Sequence, residues 1–341
     1  MSDILGVGHA LPPRIVTNEM LAQLMDTSDE WIAQRSGIRA RYWSRDPLGT
    51  EHGPGNAELG KAAAESALQM AKINACELDA VVYATISSDH EFPGNAGAVL
   101  TDCLGLRPVP LVEVRNHCSG FLSALLVADS FITCNLYRRV LVVACELQSS
   151  GLDVSTRGRA TAVLFGDGAG AVVLGSKTDR ASAESSGILS IRLESDGQYA
   201  DKLGVRAPRF DRDTRILAED YSGDAPAAFP HMDGKFVFRM ASVKMPEIVS
   251  KVLGDAGLGI DDISLIVPHQ ANRRILDMVG HALGASDRMY SNIEQHGNTT
   301  AASIPLALSQ AVQQGRVRSG DLVCLVSFGA GFAWGAALVR W

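Results

Sequence analysis

Between residues 58 and 73 the apolar positions Leu59, Ala63, Ala67, Met70 and Ala71 recur every three or four residues against Lys61, Glu65, Gln69 and Lys72. That spacing predicts a helix with one apolar stripe. A continuous apolar run from Leu78 to Thr85 follows, and it reads as a strand buried on both faces. Residues 241–253 repeat the helical pattern through Ala241, Met245, Ile248, Val249, Val252 and Leu253, and the apolar run at 263–267 repeats the strand.

Two further pairs keep this order. Leu104-Gly105 followed by Leu111 to Cys118 matches Leu283-Gly284 followed by Tyr290 to Gly297. The apolar strand at 140–144 with the Gly-rich Phe165 to Gly170 matches the strand at 322–326 with Phe328 to Gly331. Repeated units in the same order predict an internally duplicated α/β chain with halves at 1–176 and 177–341. Each half is expected to be a mixed, mainly parallel sheet covered by helices. The boundary falls in the polar stretch 176–186. Residues 196–235, rich in Asp, Gly, Pro and Arg and without a period, read as a long surface excursion of the kind that forms lids.

Composition narrows the function classes. The chain has 341 residues, 46% hydrophobic and 20% charged, with mean hydropathy +0.08, which suits a globular protein with a deep core. Thirty-one basic against 38 acidic residues give a net charge of −7, so nucleic acid is not an expected partner. The N-terminus lacks a basic segment followed by an apolar one, and no run approaches about 18 apolar residues. A soluble, cytoplasmic protein without membrane contact is therefore expected. The eight histidines are scattered without ligand spacing, so no metal site is expected.

Candidate chemistry sits at the predicted strand ends. Of six cysteines, five (76, 103, 134, 145, 324) lie within apolar patterns and read as small buried hydrophobes. Cys118 instead opens the apolar helix Ser119 to Ala128, where orphan N–H groups and the helix dipole would lower a thiol pKa. A nucleophile and a structural cysteine both fit that position. His269 ends a strand behind Pro268, where α/β folds place ligands, and a core histidine fits there equally. Asn298 lies at a predicted strand-to-helix turn, where an N-cap is the plain reading. The duplication raises all three, because it brings them toward one site. Cys, His and Asn without a carboxylate dyad suggest acyl transfer through a thioester.

The Gly-rich loops at 166–170 and 329–331 precede strands rather than helices. They read as tight turns, not dinucleotide cradles, and the second offers backbone N–H groups for an oxyanion.

His117 to Phe121, Pro268 to Asn272, Gly297 to Pro305 and the ending 328–341 resemble the β-ketoacyl-acyl-carrier-protein synthase III family of thiolase-fold condensing enzymes. Thr27 to Ile32, Arg35 to Ile38 and Phe165 to Gly170 match as well, so the resemblance spans the chain. It implies a thiolase-like fold layered α-β-α-β-α and no cofactor beyond the thioester substrates. Cys118 would take an acyl group from acyl-CoA. His269 and Asn298 would hydrogen-bond the thioester oxygen of malonyl-acyl carrier protein as it decarboxylates, giving a 3-oxoacyl product. Backbone N–H groups of Cys118 and Ala330 would form the oxyanion hole.

The resemblance also sets Trp31 and Arg157 about the coenzyme A adenine, with Arg35 near its phosphates. Arg273 and Arg274 would dock acyl carrier protein, and Phe92 would reach across a homodimer into the partner's acyl pocket. Arg115, Asn116 and His117 depart from the small residues frequent before the nucleophile. They favour a side-branch member with a primer other than acetyl, as in alkylquinolone or polyketide synthesis. A catalytically silent scaffold is the alternative from a different class. Degradative thiolysis is disfavoured, since Cys324 lies inside a strand rather than in a C-terminal turn.

Overall fold

The computed structural model describes residues 2–90, 94–177, 186–208, 215–224 and 226–341. One sheet comprises β1 (Ser2–Ala10), β2 (Ala80–Ala84), β3 (Leu111–Val114), β4 (Arg139–Glu146) and β5 (Gly168–Ser176), in the order β1-β5-β4-β2-β3. A second comprises β6 (Gly187–Ser195), β7 (Leu265–Pro268), β8 (Leu322–Gly329) and β9 (Ala333–Arg340), in the order β6-β9-β8-β7. Corresponding strands occupy corresponding places, and the counterpart of β3 is reduced to one parallel bridge between Met289 and Ile266.

Among these strands β4-β2-β3 and β7-β8 pair in parallel, while β1-β5, β5-β4, β8-β9 and β9-β6 are antiparallel. The sheets are mixed, but not mainly parallel as expected. Continuous apolar runs report cover on both faces, and helices cover these antiparallel strands too.

Alternation along the strands builds the layers. Val82 and Val142 face the centre, where they meet Phe121, Leu125 and Ala128 of one helix and Ile304, Ala307 and Leu308 of another. Those helices are α4 (Gly120–Thr133) and α7 (Ser303–Gln313), and Val267, Leu325 and Ala337 of the second sheet close on them from the other side. Val81, Val143 and Val173 point outward onto α2 (Asn56–Ala71) and α3 (Ala96–Cys103). Ile266, Cys324 and Val326 point outward onto α5 (Gly234–Ala256) and α6 (Arg273–Leu283). The order is thus helices, sheet, helices, sheet, helices, and each fully buried Leu or Val contributes about 1.5–3 kcal/mol. A short helix, α1 (Asp29–Ser36), lies in a separate apolar cluster with Val16, Ile38, Trp43 and Phe165.

Several local expectations change. Residues 290–297 form no strand; Ile293–His296 is a short helix. Gly168 and Gly170 lie inside β5, not in a turn. A Cβ at Gly170 would come within 2.6 Å of the Leu306 nitrogen, so glycine there admits the start of α7. Cys145 and Cys324 are buried, but Cys76, Cys103 and Cys134 are exposed, because each sits in a surface turn or at a helix end. No helix among the described residues is long and apolar enough to cross a membrane. Much of the 176–186 boundary lies outside the described residues.

Candidate active site

Cys118, His269 and Asn298 line one cavity of about 1350 Å³. That exceeds the 300–1000 Å³ usual for a single small ligand and leaves room for a long, segmented one. Cys118 follows β3 in the single turn His117–Ser119, directly before α4. The sulfur is pinned from behind: a Cβ at Gly329 would stand 2.6 Å from Cys118 Cβ and 3.1 Å from its Sγ. Ser119 Oγ donates to the Ala333 carbonyl at 2.9 Å and accepts from Ser327 Oγ at 2.9 Å, locking this turn to β8 and β9.

The helix end does not dominate the thiol. Burial pushes Cys118 up to about 12, the charge of Glu146 adds to this, and the N–H groups of Cys118 and Ala330 oppose it. The expected lowering is therefore overturned, because lost hydration outweighs the dipole. The same two N–H groups are the expected oxyanion-hole donors. Ala330 does not adopt a positive φ, so its side chain is no obstacle.

His269 follows Pro268 at the end of β7, and its N–H donates to the Val326 carbonyl at 2.7 Å. Its ring is buried, with Nδ1 2.6 Å from Ser303 Oγ, and burial lowers its pKa to about 4, so the ring is neutral. Asn298 is held by backbone bonds to Leu164 and Gly166. Its Oδ1 accepts from the Thr300 N–H at 2.8 Å, which turns the Nδ2 donors away from that loop. Thr300 has φ 47, uncommon for a β-branched residue, and this brings its N–H back onto Asn298.

The mouth of the cavity is built by α1 and α6. Ser28 Oγ caps α1 by accepting from the Trp31 N–H at 3.1 Å, and one turn later the Arg35 guanidinium lies 4.2 Å from the Trp31 ring centre. Asn272 caps α6 by accepting from the Arg274 N–H at 2.9 Å, and its Nδ2 donates to the Arg35 carbonyl at 2.9 Å.

Of Arg157 and Arg159, Arg157 does not lie over the Trp31 ring. Arg157 instead pairs with Asp153 at 2.6 Å, donates to the Gly223 carbonyl at 2.8 Å and lies over Phe229. Arg159, two residues on, stands over Trp31 at 5.3 Å. The turn Thr156–Gly158 before Arg159 directs the first arginine into the loop and the second to the mouth.

Arg274 reaches the cavity rim and lies over Phe238, whereas Arg273 pairs with Asp277 at 2.8 Å on another face. Phe92 lies outside the described residues. The 196–235 excursion walls the cavity through Leu203, Val205, Tyr221, Phe229 and Met232, with a small ribbon pairing Leu203–Gly204 to His231–Met232. Residues missed in the sequence are Ser303, Thr300, Gly329 and Arg159. Three of them sit within quoted motifs, without any periodic signal of their own. Among the described residues no cluster of three His, Cys, Asp or Glu is placed to hold a metal.

A family model described as 3-oxoacyl-(acyl-carrier-protein) synthase III matches residues 112–197, and the model of its C-terminal part matches residues 253–341. The β-ketoacyl-(acyl-carrier-protein) synthase III of Rhodospirillum centenum is 43% identical, covering 100% of this chain and 99% of that one. The crystal structure of 3-oxoacyl-(acyl-carrier-protein) synthase III from Aquifex aeolicus superposes with TM-score 0.87 at 34% identity and full coverage of both chains. The priming β-ketosynthase of the R1128 polyketide pathway gives TM-score 0.85 at 31% identity, covering 99% of this chain and 96% of that one. The chain belongs to the β-ketoacyl-acyl-carrier-protein synthase III family.

Proposed function

We propose that this enzyme condenses an acyl-CoA primer with malonyl-acyl carrier protein, releasing carbon dioxide and forming a 3-oxoacyl product. The observation that carries the reading is the convergence of Cys118, His269 and Asn298 on one cavity, with the N–H groups of Cys118 and Ala330 aimed at the sulfur.

At rest the nucleophile is a thiol. Its sulfur attacks the primer carbonyl, the Cys118 and Ala330 N–H groups bind the tetrahedral oxyanion, and the thiol proton leaves on the coenzyme A sulfur. The malonyl carboxylate then departs as carbon dioxide. The electron pair it leaves forms an enolate, whose oxygen faces the neutral donors of His269 and Asn298. These act where the transition state carries charge that the ground state lacks. The enolate carbon attacks the acyl-Cys118 carbonyl, and the departing sulfur takes up one proton from solvent.

Trp31, Arg35 and Arg159 would hold the nucleotide end of coenzyme A, with Arg159 replacing Arg157 in that role. Arg274 at the rim would meet the acidic carrier, with Arg273 beside it as a weaker contact. The halves at 1–176 and 177–341 would each supply part of the site. β3 ends its sheet as a half-buried edge strand, which suits pairing with a second copy in a homodimer.

A second reading, a secondary-metabolite ketosynthase with a non-acetyl primer, is favoured by Ser88, Glu113, Arg115 and His117 on the cavity wall. These are polar groups where a short alkyl primer needs none. Incubation with a panel of acyl-CoA thioesters, followed by intact mass, tests both readings. Wild-type protein should gain an acyl mass that Cys118→Ala lacks, and the primer taken separates the two. No acyl mass from any primer overturns the mechanism.

A further inference from the structure

Behind the cavity wall lies a buried carboxyl group that this reaction does not use. β4 is apolar from Val140 to Cys145 and ends in Glu146, which is fully buried. Its Oε2 accepts from the Ile86 N–H at 3.1 Å, Ser87 Oγ at 2.7 Å, Thr85 Oγ1 at 3.4 Å and Gln148 Nε2 at 3.3 Å. Oε1 is buried with no partner in hydrogen-bond geometry. Gln148 Nε2 also donates to Thr300 Oγ1 at 3.4 Å, and the Thr300 N–H is the group that holds Asn298 Oδ1.

The turn Thr300–Ala302 packs against both the end of β4 and the turn that carries Cys118. One carboxylate thus ties the segment after β2, the segment after β4 and the Asn298 loop together. Thr85, Ile86, Ser87, Gln148 and Thr300 all line the cavity.

Among the described residues no ion pair offsets the burial of Glu146. The titratable groups that feel its charge are Cys118 before α4, Tyr83 on β2 and Cys145 on β4, and Asp89 after β2 and Asp167 before β5 act on Cys145 as well. All are acids whose ionised forms repel a carboxylate. Burial raises Glu146 itself to about 7, and after burial its charge is the largest cause that raises Cys118.

We propose that Glu146 is a positioning residue whose buried carboxylate sets the ionisation of Cys118 and, through Gln148 and Thr300, the orientation of Asn298. With Glu146 ionised the nucleophile stays a thiol until substrate arrives. Neutralising Glu146 makes the thiol more acidic. This rests on Cys118 being the nucleophile, so the test reads the thiol without asking for acylation.

The unacylated full-length enzyme is alkylated with iodoacetamide across a pH series, and the Cys118 peptide is quantified by mass spectrometry apart from exposed Cys76, Cys103 and Cys134. In Glu146→Gln the midpoint should fall by about one pH unit, giving roughly tenfold faster alkylation below it. Glu146→Asp, which keeps the charge, should retain the wild-type midpoint. A well-folded Glu146→Gln with an unchanged midpoint overturns the proposal.

Should that variant fail to fold, the wild type suffices. The logarithm of its rate should rise with a slope below one between about pH 6 and 8, where Glu146 titrates against the thiol. A slope of one throughout overturns the proposal. Burial lowers His269 to about 4, so its ring adds no charge there, and burial with the charge of Arg115 lowers His117 as well. Asp167, raised to about 6 by burial, is the other carboxyl in range. The bend must survive Asp167→Asn, and its loss there also overturns the proposal. Protein that shows these profiles but accepts no primer would fail the proposed reaction and leave the role of Glu146 standing.

Discussion

His269 Nδ1 and Ser303 Oγ lie 2.6 Å apart, both buried, and this pair decides which way the imidazole works. Ser303 Oγ accepts from the Gln270 N–H at 3.4 Å with one of its two lone pairs, and the catalytic role requires its own proton to be given to Nδ1. Nδ1 is then the acceptor and Nε2 carries the hydrogen. Only that tautomer presents a neutral donor to an enolate oxygen. Ser303→Ala should therefore slow malonyl decarboxylation by about tenfold or more. Acylation of Cys118 should proceed at the wild-type rate, and the two steps are separable by released carbon dioxide and by intact mass. Equal loss in both would make Ser303 merely structural.

The Trp31 clamp distinguishes two arginines that are adjacent in motif but not in space. Arg159→Ala should raise KM for acyl-CoA by about three- to fivefold with kcat little changed, as expected for a contact worth roughly 1 kcal/mol. Arg157→Ala should instead loosen the loop around Gly223 and lower the melting temperature more than it raises KM. The reverse pattern in steady-state kinetics would restore Arg157 to the clamp.

Gly329 admits the nucleophile. Alanine there would drive a methyl into Cys118, costing about 1–3 kcal/mol of stability. It would also displace the sulfur from the Ala330 N–H. The expected outcome for Gly329→Ala is a folded, less stable protein whose acyl mass on Cys118 appears far more slowly. Wild-type acylation would show that the contact relaxes without consequence.

Glu146 also leaves a mark on stability. Its folded pKa of about 7 lies above the ordinary 4.5, so the native state binds the proton more tightly and loses stability as pH rises between those values. His269 and His296, both lowered to about 4, act in the opposite sense over part of this range, so the wild-type curve alone does not isolate the carboxyl. The difference between Glu146→Gln and wild type does. Denaturant titrations should show the variant gaining on wild type from about pH 4.5 to 7, by up to about 3 kcal/mol. A pH-independent difference would mean that Glu146 stays ionised throughout.

The linear pattern alone determined a great deal. Helical spacing in 58–73 and 241–253, and apolar runs ending at Thr85 and Val267, report burial directly. Burial is what a sheet between helix layers requires, so the duplicated α/β plan and the strand-end location of Cys118 and His269 were legible. Strand direction was not. An antiparallel strand covered on both faces, such as β5, carries the same apolar run as a parallel one.

The tertiary structure decided the electrostatics. A thiol at a helix N-terminus reads as acidic along the chain, but the degree of burial and the position of Glu146 depend on four segments meeting, and together they push Cys118 up to about 12. It likewise set Arg159 rather than Arg157 over the Trp31 ring, because two residues in a turn reverse the direction of a side chain without altering any periodic signal. Composition and period carry burial. Proximity between distant segments, and the charge that follows from it, belongs to the folded chain alone.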